Sequence, residues 1–224
     1  MISLIVPTRN RPEALERFYK SWVDTKGSGE LILVTDHDDS NDYTHMDARI
    51  VIDCYGDGHR GMERPGSTVE KINAGARAAK YDIIGFSGDD VVIETDGWEE
   101  IVSEAMSLER LSLTHPIDGI KGSHATRKYI PNHIFMSRGL YETLGWFAYP
   151  KLRHPWVDYV WCKIGNYLNA TGKGDYQRLN SVVFKHLHWL YFDNVKKDDT
   201  YIRAYTEDEE ENSRVHYDDY TPSF

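Results

Sequence analysis

The chain has 224 residues, 40% of them hydrophobic and 28% charged, a balance that excludes a disordered protein and leaves room for one large core. Its 26 Lys and Arg against 36 Asp and Glu give a formal charge of −10, which disfavours nonspecific attraction to a polyanion. No run approaches the roughly 20 apolar residues of a membrane span, and the N-terminus has neither a basic region nor a cleavage site; Cys54 and Cys162 are too few for a disulfide framework or a cysteine zinc site, so a soluble cytoplasmic chain with two ordinary half-buried thiols is expected.

Ile2 to Val6 is a β-branched run stopped by Pro7, the pattern of a buried parallel strand ending in a loop. A helix follows over Arg11 to Val23, with Leu15, Phe18, Tyr19 and Trp22 at three- and four-residue spacing and Pro12 in a first turn that tolerates it. Leu31 to Val34 and Ile50 to Ile52 read as further strands, the former closed by the polar stretch Thr35 to Asp42. A Gly-rich loop from Tyr55 to Gly66 leads to a helix over Thr68 to Lys80, striped by Val69, Ile72, Ala76 and Ala79. Ile83 to Phe86 makes a fourth strand and ends at Ser87-Gly88-Asp89-Asp90. Helices are then expected over Trp98 to Leu108, around Leu140 to Leu144 and over Val157 to Tyr167, and strands over Ile134 to Met136 and Ser181 to Phe184. From Lys196 the chain is a polar tail containing Glu207-Asp208-Glu209-Glu210-Glu211, for which solvation, and disorder in its last part, is the expectation.

This alternation predicts an α/β fold with an open, mostly parallel sheet flanked by helices, in which ligands bind beyond the carboxyl ends of the strands. The loops Pro7-Thr8-Arg9-Asn10, Asp36 to Asp42 and Gly88-Asp89-Asp90 should therefore meet at one crevice. Adjacent carboxylates repel unless a cation lies between them, so Asp89 and Asp90 suit Mg²⁺ or Mn²⁺ bridging to substrate phosphates; two acids in a row also make an ordinary solvated turn.

The segments ISLIVPTRNRPE, LILVTDHDDSND and KINAGARAAKYDIIGFSGDD occur in the order and at the intervals of GT-A fold glycosyltransferases of family 2, which the first 100 or so residues resemble, with a looser match to position 190. The resemblance implies a Rossmann-like GT-A domain over residues 1–195, with a nucleotide-sugar half at 1–109, an acceptor half at 110–195 and a tail at 196–224. It implies that Pro7, Thr8 and Arg9 border the nucleoside, that Asp36 hydrogen-bonds the base with Asp38 close by, and that Lys71 and Asn73 lie beside the nucleotide. Asp89 and Asp90 then occupy the family's acidic metal motif, Asp89 with the donor and Asp90 on a Mn²⁺ or Mg²⁺ ion.

Ser87 stands where the family usually has an Asp, so another ligand is needed. Alternate residues of an extended chain share a face, and His186 and His188 are placed to supply it, as family members often use a late histidine; a structural His pair is the other reading. Inverting transfer needs a carboxylate to accept the acceptor proton, and the candidate is Asp158 in His154-Pro155-Trp156-Val157-Asp158, where Val157 replaces the first acid of the family's Glu-Asp. An Asp at a helix start also satisfies free backbone N–H groups. Trp146, Trp156 and Trp161 gather near it, as core or as a stacking platform.

The Gly56 to Gly61 loop, with Arg60 or Arg64, is a weak diphosphate signal. The basic stretch holding Lys121, His124, Arg127, Lys128, His133 and Arg138 reads as a solvated loop or as a face for a polyanion. The short chain and its His-Leu-His-Trp segment are similar to small phage-type glycosyltransferases, which would place it in a host cytoplasm and offer either a hydroxymethylated DNA base or a glycan as acceptor. A non-catalytic nucleotide-sugar or glycan-binding module and a nucleotidyltransferase are the alternative classes. The oligomeric state is not legible.

Overall fold

The computed structural model of the chain describes residues 1–53, 67–119, 130–188, 202 and 207–224. Eight strands form one sheet: β1 (Ile2–Thr8), β2 (Glu30–Asp36), β3 (Arg49–Asp53), β4 (Ile83–Phe86), β5 (Val91–Ile93), β6 (Leu111–Ile117), β7 (Ile134–Ser137) and β8 (Gly174–His186). Their spatial order is β3-β2-β1-β4-β7-β6-β8-β5. Pairing is parallel from β3 to β4 and between β6 and β8, and antiparallel where β7 meets β4 and β6 and where β5 meets β8. This is the open, mostly parallel α/β sheet expected. Helices among the described residues include α1 (Pro12–Asp24), α2 (Thr68–Ala78), α3 (Trp98–Ala105), α4 (Arg138–Leu144), α5 (Val157–Thr171) and α6 (Glu207–Asp219).

Both faces of the sheet are covered. Along β1 the two-residue period sends Ile5 to a core shared with α2, α4 and α5, and Ile2, Leu4 and Val6 to a second core shared with α1 and α3. A capping box starts α2: Ser67 Oγ accepts from Glu70 N at 3.1 Å, and Glu70 Oε2 accepts from Ser67 N at 2.6 Å. Gly75 lets this helix lie close on β1, since a Cβ there would meet Ile5 Cγ2 at 2.4 Å. The approach fixes the turn of α2 that carries Lys71.

Four features depart from the expectation. β5 and β6 are additional strands, and β8 begins at Gly174 instead of near Ser181. The fourth concerns the tail, whose last part is ordered. Tyr217, Tyr220 and Phe224 pack against the α5 side of the core, Lys163 Nζ donates to the carbonyls of Tyr217 (2.7 Å) and Tyr220 (3.1 Å), and Tyr167 donates its hydroxyl proton to the Phe224 carbonyl at 2.8 Å. The aromatic residues of this segment bury enough apolar surface to dock a sequence that is polar on average. Among the described residues no helix is long and apolar enough to cross a membrane.

Candidate active site

A cavity of about 310 Å³ opens at the carboxyl ends of β1 and β4. Its wall takes Pro7, Thr8 and Arg9 from the end of β1, Arg11 from the turn into α1, Thr68 and Lys71 from α2, and Gly88, Asp89 and Asp90 from the turn after β4. The other side is made by Asn132 and His133 before β7, the segment from His154 to Tyr159, and His186 and His188 at the end of β8.

Asp89 is buried, accepting from Thr8 Oγ1 at 2.8 Å and from Arg11 Nη1 at 2.8 Å. Burial pushes its carboxyl above the ordinary range; Arg11 pulls it down, and the neighbouring Asp90 charge adds to the rise. Arg11 also stands 3.8 Å from Asp90 Oδ2, and His186 Nε2 lies 3.3 Å from Asp90 Oδ1. Burial acts to lower the His186 pKa, but the Asp90 charge and hydrogen bond outweigh it and the result is a rise. The His188 ring follows at 5.1 Å from that of His186. Gly88 permits this turn, because a Cβ there would sit 2.7 Å from Asp90 Oδ1.

At the end of β2, Lys71 Nζ donates to Asp36 Oδ2 at 2.7 Å, and Arg9 Nε lies 3.3 Å from the same oxygen. Asp36 Oδ1 is buried and has no hydrogen-bond partner among the described residues. Arg9 grips Asp38 with two bonds, of 3.2 and 2.7 Å, and its hydrogen bonding holds that exposed carboxyl below the ordinary range.

Asp158 sits half-buried in the first turn of α5, where its Oδ1 accepts from Tyr159 N at 3.0 Å while the residue faces the cavity. The residue before the helix, Trp156, takes a left-handed backbone (φ 71°) and also lines the cavity. Across from them Thr68 Oγ1 and His154 Nδ1 are 2.6 Å apart, and removal from water lowers the His154 pKa to about 4. His133 is 2% exposed, and neither of its ring nitrogens has a partner among the described residues. Burial, then the nearby His186, lowers its pKa to about 3, so the imidazole is uncharged at neutral pH.

Of the residues singled out in the sequence, Pro7, Thr8, Arg9, Lys71, Asp89, Asp90, Asp158, His186 and His188 meet at the cavity. Asp36 and Asp38 stand behind it, tied through Arg9 and Lys71. Asn73 is spent on the fold: its Oδ1 accepts from Phe147 N and Ala148 N, both at 2.9 Å, and its Nδ2 donates to the Ala148 carbonyl at 2.7 Å. Trp161 is core, donates to the Phe147 carbonyl and reaches the cavity wall, where Trp156 joins it, whereas Trp146 packs on Tyr149 and Tyr220 away from the cavity. In the basic stretch, His133 is buried and Arg138 donates to the carbonyls of Ala79 and Tyr81. Lys121, His124, Arg127 and Lys128, like Cys54 and the Gly56 to Gly61 loop with Arg60 and Arg64, lie outside the described residues.

Sequence reasoning passed over Arg11, Thr68 and His133 as site residues. Arg11 directly continues the polar loop that was noticed, and Thr68 opens a capped helix, so both carried a signal. The placing of His133 comes from the antiparallel pairing of Ile134 with Phe86, which no local pattern announces.

Among the described residues no three His, Cys, Asp or Glu side chains are gathered so as to hold a metal unaided. Asp90 Oδ1 and His186 Nε2, 3.3 Å apart on the cavity wall with His188 beside them, are an oxygen and a nitrogen of the kind that bind divalent ions, and a ligand's oxygens would have to complete the shell.

The profile of Glycosyl transferase family 2 matches residues 3–158. No curated protein matches the chain. Among solved structures, S. aureus TarS 1-349 in complex with UDP-GlcNAc is similar over 96% of this chain and 64% of its own, at 16% identity and a TM-score of 0.61. The mannosyltransferase PcManGT from Pyrobaculum calidifontis, in complex with GDP-Man and Mn²⁺, is similar over 83% and 56%, at 14% identity and 0.58. Glucosyl-3-phosphoglycerate synthase from Mycobacterium tuberculosis, in complex with Mg²⁺ and UDP, is similar over 84% and 72%, at 18% identity and 0.59. The chain thus spans less than two thirds of the TarS and PcManGT chains, and at these identities the likeness shows the fold.

Proposed function

The chain belongs to glycosyl transferase family 2 and has the GT-A fold, and on that premise we propose that it transfers a sugar from a nucleotide-sugar, a UDP-sugar first, to an acceptor hydroxyl with inversion. The observation that supports this most is one cavity shared by Thr8, Asp89 and Asp90 at the strand ends and by Asp158 and His186 from the other half of the chain. Arg9, Arg11 and Lys71 on the same wall favour an anionic diphosphate. The nucleoside is assigned to the ends of β1 and β2, near Asp36 and Arg9, and the diphosphate to the turn after β4.

Asp158 is the base in this reading. It accepts the hydroxyl proton as the acceptor oxygen bonds to the anomeric carbon, while the bond from that carbon to the diphosphate oxygen breaks and its electron pair leaves with the diphosphate. Displacement in one step inverts the centre. Asp90, with His186 and His188, would hold a Mn²⁺ or Mg²⁺ ion, whose chemistry is to neutralise charge on the leaving group. The Mn²⁺, Mg²⁺, UDP and sugar-nucleotide complexes of the similar structures support the donor class and the ion.

Residues 1–109 are read as the donor half, 110–195 as the acceptor half, and the tail from 196 as an addition to the latter. A glycan hydroxyl is favoured over a DNA base as acceptor, because His133 and Arg138 are used inside the fold and the net charge is −10. Weak dependence of turnover on salt is expected; a steep fall with added salt would point to a polyanionic acceptor instead.

Asp158→Asn tests the assignment. Donor affinity should stay within about twofold while turnover falls by about a hundredfold or more. Unchanged turnover would remove Asp158 as the base, and a wild-type protein that binds donor without releasing product would favour the binding-module alternative.

A further inference from the structure

His133 combines three properties that together call for a ligand. It is 2% exposed, it lines the cavity, and neither ring nitrogen is hydrogen-bonded among the described residues. Burying an imidazole in this way is costly, and the great majority of buried polar side chains have a partner. Its surroundings give none: Phe86 and Phe184 lie at ring distances of 6.4 and 6.1 Å, and the His186 ring stands at 5.3 Å, nearly perpendicular. Asn132, next in the chain, is already engaged, donating to Asp118 Oδ2 at 3.1 Å.

The chemistry of the missing partner follows from the group itself. An uncharged imidazole has one N–H donor and one acceptor nitrogen, and a hydroxyl can serve either because it both donates and accepts. A phosphate has better partners on the same wall in Arg9, Arg11 and Lys71.

Position narrows it further. Across the sheet the order β2-β1-β4-β7 sets the ends of β2 and β1, then the Asp89-Asp90 turn after β4, then His133 at the start of β7, each about one strand spacing of roughly 4.8 Å from the last. If the nucleoside lies at β2 and β1 and the diphosphate at β4, the group beyond the diphosphate falls at β7. We propose that His133 binds a hydroxyl of the donor's sugar and so contributes to which sugar the protein accepts. This rests on the nucleotide-sugar reading above.

The test compares wild type with His133→Phe, which keeps an aromatic ring of similar volume and removes both nitrogens. Calorimetric titration in Mn²⁺ uses UDP-glucose, UDP-galactose, UDP-N-acetylglucosamine and GDP-mannose, with UDP and GDP as sugar-free controls. For the sugar nucleotide that wild type binds best, the variant should lose about tenfold in affinity, the size of one hydrogen bond, with the matching nucleoside diphosphate bound equally by both. The same sugar nucleotide, but not the diphosphate, should shift the His133 ring nitrogen resonances in wild type. This second readout does not depend on the variant's folding, and a merely structural histidine would not give it. Equal sugar-nucleotide affinity in the two proteins, or equal loss for the diphosphate, would overturn the proposal while sparing the nucleotide-sugar reading. A wild type that binds none of the four would overturn both.

Discussion

His115 lies inside β6, 2% exposed, with its ring on that of Tyr176 at 5.6 Å. Burial brings its pKa down to about 4. The unfolded chain therefore takes up a proton on this residue below about pH 6.5, while the folded chain does so only near pH 4, and between these values the unfolded state holds more protons. Stability should fall as pH drops through that window, by about 3 kcal/mol from this residue when the fall is complete. Urea unfolding at several pH values measures it, and His115→Gln should flatten the slope. Buried His133 acts in the same direction. Residues of this sort were poorly legible. The acids were read correctly as strand-end groups because carboxylates stand out after apolar runs, as at Asp89 and Asp90. His133 reads as part of a basic stretch and His115 as nothing in particular, because a buried neutral imidazole and an exposed cation have the same letter. Asn73 is ambiguous for a related reason: an amide that meets three backbone groups looks, in sequence, like one that meets a nucleotide.

At the scale of elements, Asn73 fastens α2 to residues 147 and 148, a few positions before the segment that carries His154 and Asp158. Asn73→Ala leaves two backbone N–H groups and a carbonyl without these partners, and should destabilise the fold by about 2–3 kcal/mol in urea unfolding. The Asp158 segment should loosen with it, visible as faster amide exchange over residues 147–158. The strands β1 to β4 and helices α1 and α2 were legible because each shows one clean pattern, an apolar run or a helical stripe. β6 was not: Ser112, Thr114 and His115 are all buried, so polarity no longer reports exposure along it. β5 has three residues, too few for any period. The first half of β8, Gly174 to Asn180, is mostly polar with Tyr176 and Leu179 three residues apart and no two-residue alternation, and only its Ser181 to Phe184 portion reads as a strand.

At the scale of the whole molecule, the two halves of the chain share one cavity, and the ordered tail supports the half assigned to the acceptor. Tyr217 lies over Trp156 at 5.2 Å with the rings 24° apart, and Trp156 is a wall of the cavity. Ending the chain at Thr206 removes α6 and that contact; the melting temperature should drop by at least about 5 °C, with UDP affinity changed by less than about twofold. An unchanged melting temperature would show that the docked tail adds nothing. The role of this segment was hidden in sequence by its acids, which outweigh three aromatic residues in any average. The central claim is that one cavity holds a nucleotide-sugar for transfer, and release of nucleoside diphosphate from purified wild-type protein with UDP-sugars and Mn²⁺ tests it most directly. The account predicts release that falls to background in Asp90→Ala; absence of release from every UDP-sugar and GDP-mannose, or full release by Asp90→Ala, would contradict it.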